Sequence, residues 1–175
     1  MFSQEVGVVL RKLTESIEEK NHEKVLRFSE TVLMNTTDED IIRCKIIALI
    51  KLNKFDQALQ VQKSLKTEND EQTFIKAYIS YKLQNYKETI STLEKNSSSS
   101  SIMKNKILLA QAYNKIENFD FSVSLYLDLL TNYQDQLEED YEDICANYLN
   151  SLSWSIWTKN SQGLAPQMLQ AEKIA

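Results

Sequence analysis

A repeat of about 33 residues constrains the fold of this chain more than any other feature of its sequence. Three segments align, NKFDQALQVQKSL, QNYKETISTLEKN and ENFDFSVSLYLDL, and a weaker fourth copy reads KNHEKVLRFSETVL. The aromatic position of the four copies holds His22, Phe55, Tyr86 and Phe119, at spacings of 33, 31 and 33 residues. A period of this length predicts an array of stacked supersecondary units.

Each copy predicts the second helix of a helix–turn–helix unit. A small residue follows the aromatic position by three, and Ala58, Thr89 and Ser122 are the examples in the three stronger copies. A small side chain at that position lets two helices cross closely. The preceding segments show helical spacing of apolar residues, as in TFIKAYISYKL. Asparagine in each connecting turn tolerates the left-handed conformation that ends a helix, so we expect it to replace glycine there.

Composition excludes several alternatives. With two glycines and one proline in 175 residues, the chain is poor in the turn residues of a β-rich fold and cannot form a glycine-rich phosphate loop. The single histidine, His22, excludes a histidine-based metal site and argues against a catalytic triad. We therefore predict an all-α protein without cofactor or metal.

Charge and hydropathy restrict the partners. A net charge of −5 disfavours direct nucleic-acid binding by this domain. The sequence contains no run of eighteen apolar residues, so we expect no membrane insertion. Cys44 and Cys145 lie 101 residues apart with no CxxC spacing, so we interpret them as buried, reduced thiols of an intracellular protein.

The unit resembles the tetratricopeptide repeat. Phe74-x2-Ala77-Tyr78-x2-Tyr81 keeps the spacing of the first helix of that repeat, and Ser122-x3-Tyr126 keeps the spacing of the second, although no tryptophan opens a repeat and no proline closes one. The resemblance implies a right-handed superhelix of antiparallel helix pairs, with about four to five units and an irregular C-terminal cap. We predict a single domain over 1–175. Its predicted units are roughly 4–36, 38–68, 70–96, 102–133 and 138–160, followed by a capping segment at 161–175.

The C-terminal part departs from the repeat. Gly163 and Pro166 predict a break between helices, and a final short helix is expected from Gln167 to Ile174. Trp154 and Trp157 are interpreted as core of the cap in preference to a ligand cage. The run Ser97 to Ser101 predicts a flexible loop.

The first helices of such units line a concave face that binds peptides. The segment DIIRCKIIALIKL is apolar almost all round, and we expect its side around Ile47 and Ile50 to form the aliphatic floor of a groove. The alternative is that these isoleucines pack inside the array or against a second copy, so a homodimer stays open. The predicted partner-binding groove residues are Arg43, Ile47, Ile50, Lys51, Ile75, Ile79, Lys82, Gln111, Asn114 and Lys115.

The order of several elements is similar to a more specific family. IIRCKIIALIKLNKFDQAL, FIKAYISYKLQNYKETISTLE, ILLAQAYNKIENFDFSVSLYLDLLTN and YEDICANYLNSL follow one another between about residues 25 and 152. They resemble the N-terminal tetratricopeptide domain of the seventy-two-kilodalton protein subunit of the signal recognition particle. The resemblance implies binding of a C-terminal segment of the sixty-eight-kilodalton subunit, in a cytoplasmic complex at the ribosome and endoplasmic reticulum. It also implies that the particle RNA is contacted by a later basic region of the family protein.

Three classes of function are compatible with a chain of this size and composition. The first is an interaction scaffold of the signal recognition particle, and the second is a generic tetratricopeptide adaptor or co-chaperone module of another cytosolic complex. The third is an enzyme. The acidic run at 138–143 is typical of a solvated face, and Cys44 has no histidine nearby in sequence to activate it. We therefore predict that the chain is not an enzyme.

Overall fold

Every regular element of the described chain is a helix, as the sequence predicts. The computed structural model describes residues 2–66, 69–95 and 102–171. One 3-10 turn, Glu138–Asp140, lies among the α-helices. The α-helices are α1 Phe2–Glu18, α2 His22–Leu33, α3 Glu39–Lys51, α4 Phe55–Gln62, α5 Asp70–Lys82, α6 Tyr86–Glu94, α7 Ile102–Lys115, α8 Phe119–Asn132, α9 Gln134–Leu137 and α10 Tyr141–Ala171. The serine run at 97–101 lies outside the described residues.

The chain divides into two compact units. Unit 1 is Met1–Asn85 and contains α1 to α5, and unit 2 is Tyr86–Ala175 and contains α6 to α10. Consecutive helices of unit 1 contact one another, and in unit 2 α7 contacts α6 and α8 while α10 packs on α8. The boundary falls in the turn after α5, inside the predicted repeat 70–96. Each unit therefore buries its own helix–turn–helix core.

Four helices end in the same left-handed turn. The φ angles of Lys20, Asn53, Gln84 and Glu117 lie between 54° and 63°, in a left-handed region that residues other than glycine rarely adopt. These residues are 33, 31 and 33 positions apart, and each stands two positions before the start of the next helix. The repeat that was visible in the aromatic positions is therefore also a repeat of backbone conformation.

Hydrogen bonds close each of these turns. At the second turn, the Asn53 amide donates to the Ile50 carbonyl at 3.0 Å and the Lys54 amide donates to the Leu49 carbonyl at 2.9 Å. This pair of bonds is the Schellman motif, which satisfies the last carbonyls of a helix. The expectation that asparagine adopts the left-handed conformation is correct at Asn53. It is wrong at the next two turns, where Gln84 and Glu117 adopt it.

The small residues of the repeat lie where helices meet. Helices α2, α4, α6 and α8 begin at the four aromatic positions of the repeat. Three residues later, Val25, Ala58, Thr89 and Ser122 have at most 4% of their surface exposed. A larger side chain at these positions would overlap its neighbours, because interiors are close-packed. The prediction of a repeating close helix crossing is therefore confirmed.

Side chains cap three of the helices in unit 1. The carboxamide oxygens of Asn21 and Asn69 accept from the amides of Lys24 and Gln72, and the Asp38 carboxylate accepts from the Asp40 amide at 2.9 Å. Asn and Asp at these positions satisfy amides that have no partner inside the helix. These caps define where α2, α5 and α3 begin.

Aliphatic residues form separate cores in the two units. The core of unit 1 consists of two clusters, one of Ile42, Ile46, Leu49, Ala58 and Ile79 and the other of Leu13, Val25 and Ala48. In unit 2, Tyr126 and Leu129 of α8 pack with Ala110, Leu137 and Ile144. Burial of this apolar surface stabilises the helix pairs.

Helix α10 differs from the predicted C-terminal part. It is continuous from Tyr141 to Ala171, so the predicted break at Gly163 and Pro166 is wrong. Side chains on two successive turns of α10 hydrogen-bond to α8: Ser151 lies 3.1 Å from the Ser122 hydroxyl, and Ser155 donates to Asp120 at 2.5 Å. These contacts hold the first half of α10 along α8.

Candidate protein-binding surface

The left-handed turns give the register of the first helices. Positions at the same distance before each turn are equivalent between repeats, so Ile47 corresponds to Tyr78 and Gln111, each six residues before its turn. By the same count Lys51, Lys82 and Lys115 are equivalent, two residues before the turn. A cation there interacts favourably with the carbonyl end of the helix.

Ile47 is the main exposed aliphatic residue of α3. It has 44% of its surface exposed, whereas Ile46, Ala48 and Leu49 have 1% each. A solvated isoleucine between three fully buried residues marks the side of the helix that faces away from the core. The structure therefore places Ile47 on an open surface.

An aromatic pair occupies the equivalent side of α5. Phe74 and Tyr78 stack with ring centroids 6.4 Å apart, and the Lys82 ammonium lies 5.5 Å from the centroid of the Tyr78 ring. Both rings are half-buried and Lys82 is exposed. Neither ring was among the predicted groove residues, although the repeat spacing could have identified them. We call Arg43, Ile47, Phe74, Tyr78 and Lys82 the α3–α5 face.

Other predicted groove residues of unit 1 have mixed surroundings. Arg43 forms ion pairs with Asp40 at 2.6 Å and Glu39 at 3.5 Å on its own helix. Ile50 and Ile75 are partly buried and pack against the main core cluster of unit 1. Lys51 is exposed at the end of α3.

Ile79 is a core residue. It has no exposed surface and packs with Ile42, Ile46 and Leu49, so its predicted assignment to an open groove is wrong. The spacing between the second and third turns is 31 residues, which makes Ile79 the equivalent of Ala48, also buried. The isoleucine was therefore placed one residue out of register.

In unit 2 the predicted groove residues of α7 are also divided. The Asn114 amide donates to the Ser151 hydroxyl at 2.7 Å, and that hydroxyl lies in the buried contact between α8 and α10. Asn114 therefore has a structural role between helices. Gln111 is half-buried, and Lys115 is exposed at the end of α7.

The two tryptophans lie on the surface of α10. Trp154 is 46% exposed and Trp157 is 61% exposed, so the prediction that they form a cap core is wrong. Together with Phe119 they border a cleft of about 350 Å³ that also includes residues of the turn after α7. We call it the tryptophan cleft, lined by Asn114, Lys115, Glu117, Phe119, Trp154, Trp157 and Thr158.

Ion pairs and hydrogen bonds in unit 2 shift several pKa values. Hydrogen bonds from Lys159 and Ser155 lower the pKa of Asp120, and a hydrogen bond from Lys106 lowers that of Asp128. Burial and a hydrogen bond to Glu94 raise the pKa of Tyr113 to about 12. These contacts join α6 to α7, α7 to α8 and α8 to α10, as structural ion pairs and hydrogen bonds do.

Neither cysteine is paired in a disulfide, and both are half-buried. Burial, followed by the carboxylates of Asp40 and Asp38, raises the pKa of Cys44, so the thiol keeps its proton and is a poor nucleophile. Within the described ranges, no cluster of three His, Cys, Asp or Glu side chains could hold a metal ion. Across those same ranges, no helix is sufficiently long and apolar to span a membrane.

Sequence comparisons match the repeat region. The family model SRP_TPR_like, described as "Putative TPR-like repeat", matches residues 18–148. The chain is 32% identical over 146 residues to the signal recognition particle subunit SRP72 of Dictyostelium discoideum, covering 82% of this chain and 21% of that protein. It is 30% identical over 109 residues to human SRP72, covering 61% of this chain and 16% of that protein. The chain thus spans about a fifth of the length of these relatives.

Solved structures share the fold at low sequence identity. A MamA fragment from Desulfovibrio magneticus RS-1 superposes with a TM-score of 0.62 at 14% identity, covering 86% of this chain and 94% of that one. Another MamA crystal structure gives 0.65 at 9% identity, covering 93% and 94%. At these identities the likeness concerns the fold alone. The shared fold and the match of the SRP_TPR_like family model to residues 18–148 together confirm the tetratricopeptide resemblance. The chain belongs to the SRP_TPR_like family of TPR-like repeat proteins.

Proposed function

We propose that this chain is a protein-interaction scaffold of the signal recognition particle and binds a segment of the sixty-eight-kilodalton subunit. The similarity to SRP72 supports membership of the signal recognition particle, and the repeat fold supports the role of a scaffold without catalytic activity. The proposal includes a cytoplasmic complex, in which the particle RNA is contacted by other parts of the family protein. Such a domain supports particle assembly and the targeting of secretory proteins.

The observation that carries this proposal is the exposed Ile47 on the α3–α5 face. An aliphatic side chain that is 44% exposed beside a fully buried core gains free energy when a partner covers it. Phe74 and Tyr78, at corresponding positions of the next first helix, supply flat apolar surface on which a bound segment can pack. Aromatic residues of this kind often dominate binding energy.

Charged residues at the edge of this face suit a segment of mixed character. Lys82 lies over Tyr78, and Lys51 is exposed at the equivalent helix end. Two ammonium groups at corresponding positions can pair with carboxylates of a bound segment, while its apolar side chains cover Ile47 and Tyr78. We therefore propose an amphipathic segment, extended or helical, with acidic and apolar residues.

Calorimetric titration of this chain with the C-terminal segment of the sixty-eight-kilodalton subunit tests the proposal. We expect binding at micromolar strength or tighter for the unchanged chain. Ile47→Glu should weaken it at least tenfold, because a carboxylate would be buried in the apolar contact. Since Ile47 is solvated in the free chain, the helical circular dichroism signal should stay nearly unchanged.

Met34→Glu is the matched control. Met34 is 81% exposed at the end of α2 and is not one of the α3–α5 face residues, so this change introduces the same charge in the same unit. It should leave the affinity unchanged. Equal loss in both variants would indicate a general charge effect and contradict the assignment of the face. Absence of binding by a folded, unchanged chain would favour the generic adaptor or co-chaperone role in another complex.

A further inference from the structure

We propose that the tryptophan cleft of unit 2 binds an arginine or lysine side chain from a basic segment of a partner protein. The cleft lies between the turn after α7 and the exposed side of α10, and its volume of about 350 Å³ has room for one long side chain. This proposal does not depend on the sixty-eight-kilodalton subunit, because it concerns different residues and a different chemistry.

The rings of the cleft form adjoining walls. Phe119 stacks on Trp154 with centroids 6.0 Å apart and planes 19° apart, and Trp157 meets Trp154 edge to face at 5.4 Å and 84°. Ring faces carry negative potential and attract a cation, tryptophan most strongly. Both indoles are about half exposed, so their surfaces are accessible to a side chain from outside.

A carboxylate stands at the same cleft. Glu117 is held in the left-handed turn by the bond from its amide to the Asn114 carbonyl at 3.1 Å, so its place beside Phe119 is set by the backbone. Within the described residues Glu117 has no ion pair, whereas neighbouring Asp120 is bonded to Lys159 at 2.8 Å. Glu117 can therefore form a charge-assisted hydrogen bond with an incoming cation.

The charge of the whole unit favours a basic partner. Unit 1 has 13 acidic and 13 basic residues, whereas unit 2 has 12 acidic and 7 basic residues. The entire net charge of −5 therefore belongs to the unit that contains the cleft. A field of one sign attracts segments of the opposite sign and repels acidic ones.

Arginine and lysine match both parts of the lining. Their methylene stems pack on the indole surfaces while the cationic head reaches Glu117. An apolar anchor such as leucine would cover the rings but could not pair with the carboxylate. Lys115 also lines the cleft, and because it repels an incoming cation, its removal should strengthen binding.

The experiment uses the fluorescence of the full chain. Trp154 and Trp157 are the two tryptophans of the sequence, so indole emission reports on this cleft alone. The probe is the peptide Ac-ARARA-NH2, and the matched control replaces each arginine by citrulline, which is similar in shape and uncharged. We expect a saturable change with the arginine peptide and at least fivefold weaker binding of the citrulline peptide, the size of a cation–π contribution.

Variants test the residues. By calorimetry, Glu117→Gln and Trp157→Ala should each weaken binding of the arginine peptide about five- to tenfold, and Lys115→Ala should strengthen it about twofold. Ile156→Ala removes an exposed side chain of α10 outside the cleft and should have no effect.

Three results would overturn the proposal. The first is equal binding of the arginine and citrulline peptides, and the second is tighter binding of a leucine peptide, which would indicate an apolar docking site. The third is unchanged affinity in Glu117→Gln. Because Glu117 is exposed, that variant should fold even if Trp157→Ala disturbs α10, and circular dichroism checks this.

Discussion

Single residues determine how the helices of this chain end. Lys20, Gln84 and Glu117 adopt a positive φ at a position where helices that end in a left-handed turn usually have glycine. A side chain in this conformation costs about 1–2 kcal/mol, because its Cβ atom approaches the following carbonyl. The two hydrogen bonds of each turn offset that cost. These three residues therefore lower the free energy of unfolding relative to glycine at the same positions.

We predict that Gln84→Gly stabilises the protein. Relief of the left-handed strain outweighs the greater conformational entropy that glycine loses on folding, so the free energy of unfolding should rise by about 0.5–1 kcal/mol. Gln60→Gly is the matched control, because Gln60 is an exposed residue in the interior of α4. There the change should lower the free energy of unfolding by about 1 kcal/mol. Urea denaturation followed by circular dichroism measures both. Changes of the same sign would contradict the role given to the turn.

At the scale of elements, polar contacts orient the helices of unit 2 around α8. Lys106 of α7 pairs with Asp128 of α8, and Ser122 of α8 donates to the Ala110 carbonyl of α7 at 3.0 Å. On its other side α8 contacts α10 through Asp120 and Ser155. Directional contacts on two sides fix the rotation of α8, which apolar packing alone specifies less strictly.

The ion pair of Asp128 makes unit 2 sensitive to acid. Because the hydrogen bond from Lys106 lowers the pKa of folded Asp128, the pair contributes stability above the unfolded pKa of about 4. That contribution is lost as the pH falls through the lower folded value. Asp128→Asn should therefore be less stable than the unchanged protein at pH 7, and the difference should shrink below about pH 4.

Thermal denaturation between pH 7 and pH 2.5 measures this effect. Asp135→Asn, at an exposed acidic residue of α9, serves as the control and should parallel the unchanged protein. A difference between Asp128→Asn and the unchanged protein that is constant over this range would mean that the ion pair makes no contribution.

At the scale of the whole molecule, the two compact units each contain a core. In unit 1 the core residues belong to α1 through α5 and lie within Met1–Asn85. In repeat proteins, each unit contacts mainly its neighbours, so part of an array can retain structure by itself. The two units also differ in net charge, because unit 1 has equal numbers of acidic and basic residues whereas unit 2 has an excess of acidic ones.

We predict that the fragment Met1–Asn85 folds by itself. It should show a helical circular dichroism spectrum and a cooperative urea transition, at a lower midpoint than the full chain, because a shorter array buries less surface. Ile46→Ala in the fragment is the internal check. Ile46 is 1% exposed in the main core of unit 1, so the change should lower the stability of a folded fragment by about 2–5 kcal/mol. A disordered spectrum, or a fragment insensitive to that change, would contradict an independent core.

Much of the fold could be predicted because its determinants are local. The aromatic and small positions of the repeat recur at regular intervals, and Ala58, Thr89 and Ser122 are buried as the pattern indicates. The candidate surface was predictable in part. Ile47 was identified by the apolar character of α3, whereas Ile79 was misplaced, because a helix that is apolar all round does not show which side faces solvent.

The sequence by itself determined the helical class, the repeat and the family, since all three depend on periodic patterns along the chain. Only the tertiary structure decided the path of α10, which continues through the predicted break at Gly163 and Pro166 and contacts α8 through Ser151 and Ser155. It also decided the exposure of Trp154 and Trp157. The physical reason is that burial depends on which helix arrives from a distant part of the chain, and local propensity carries no information about that neighbour.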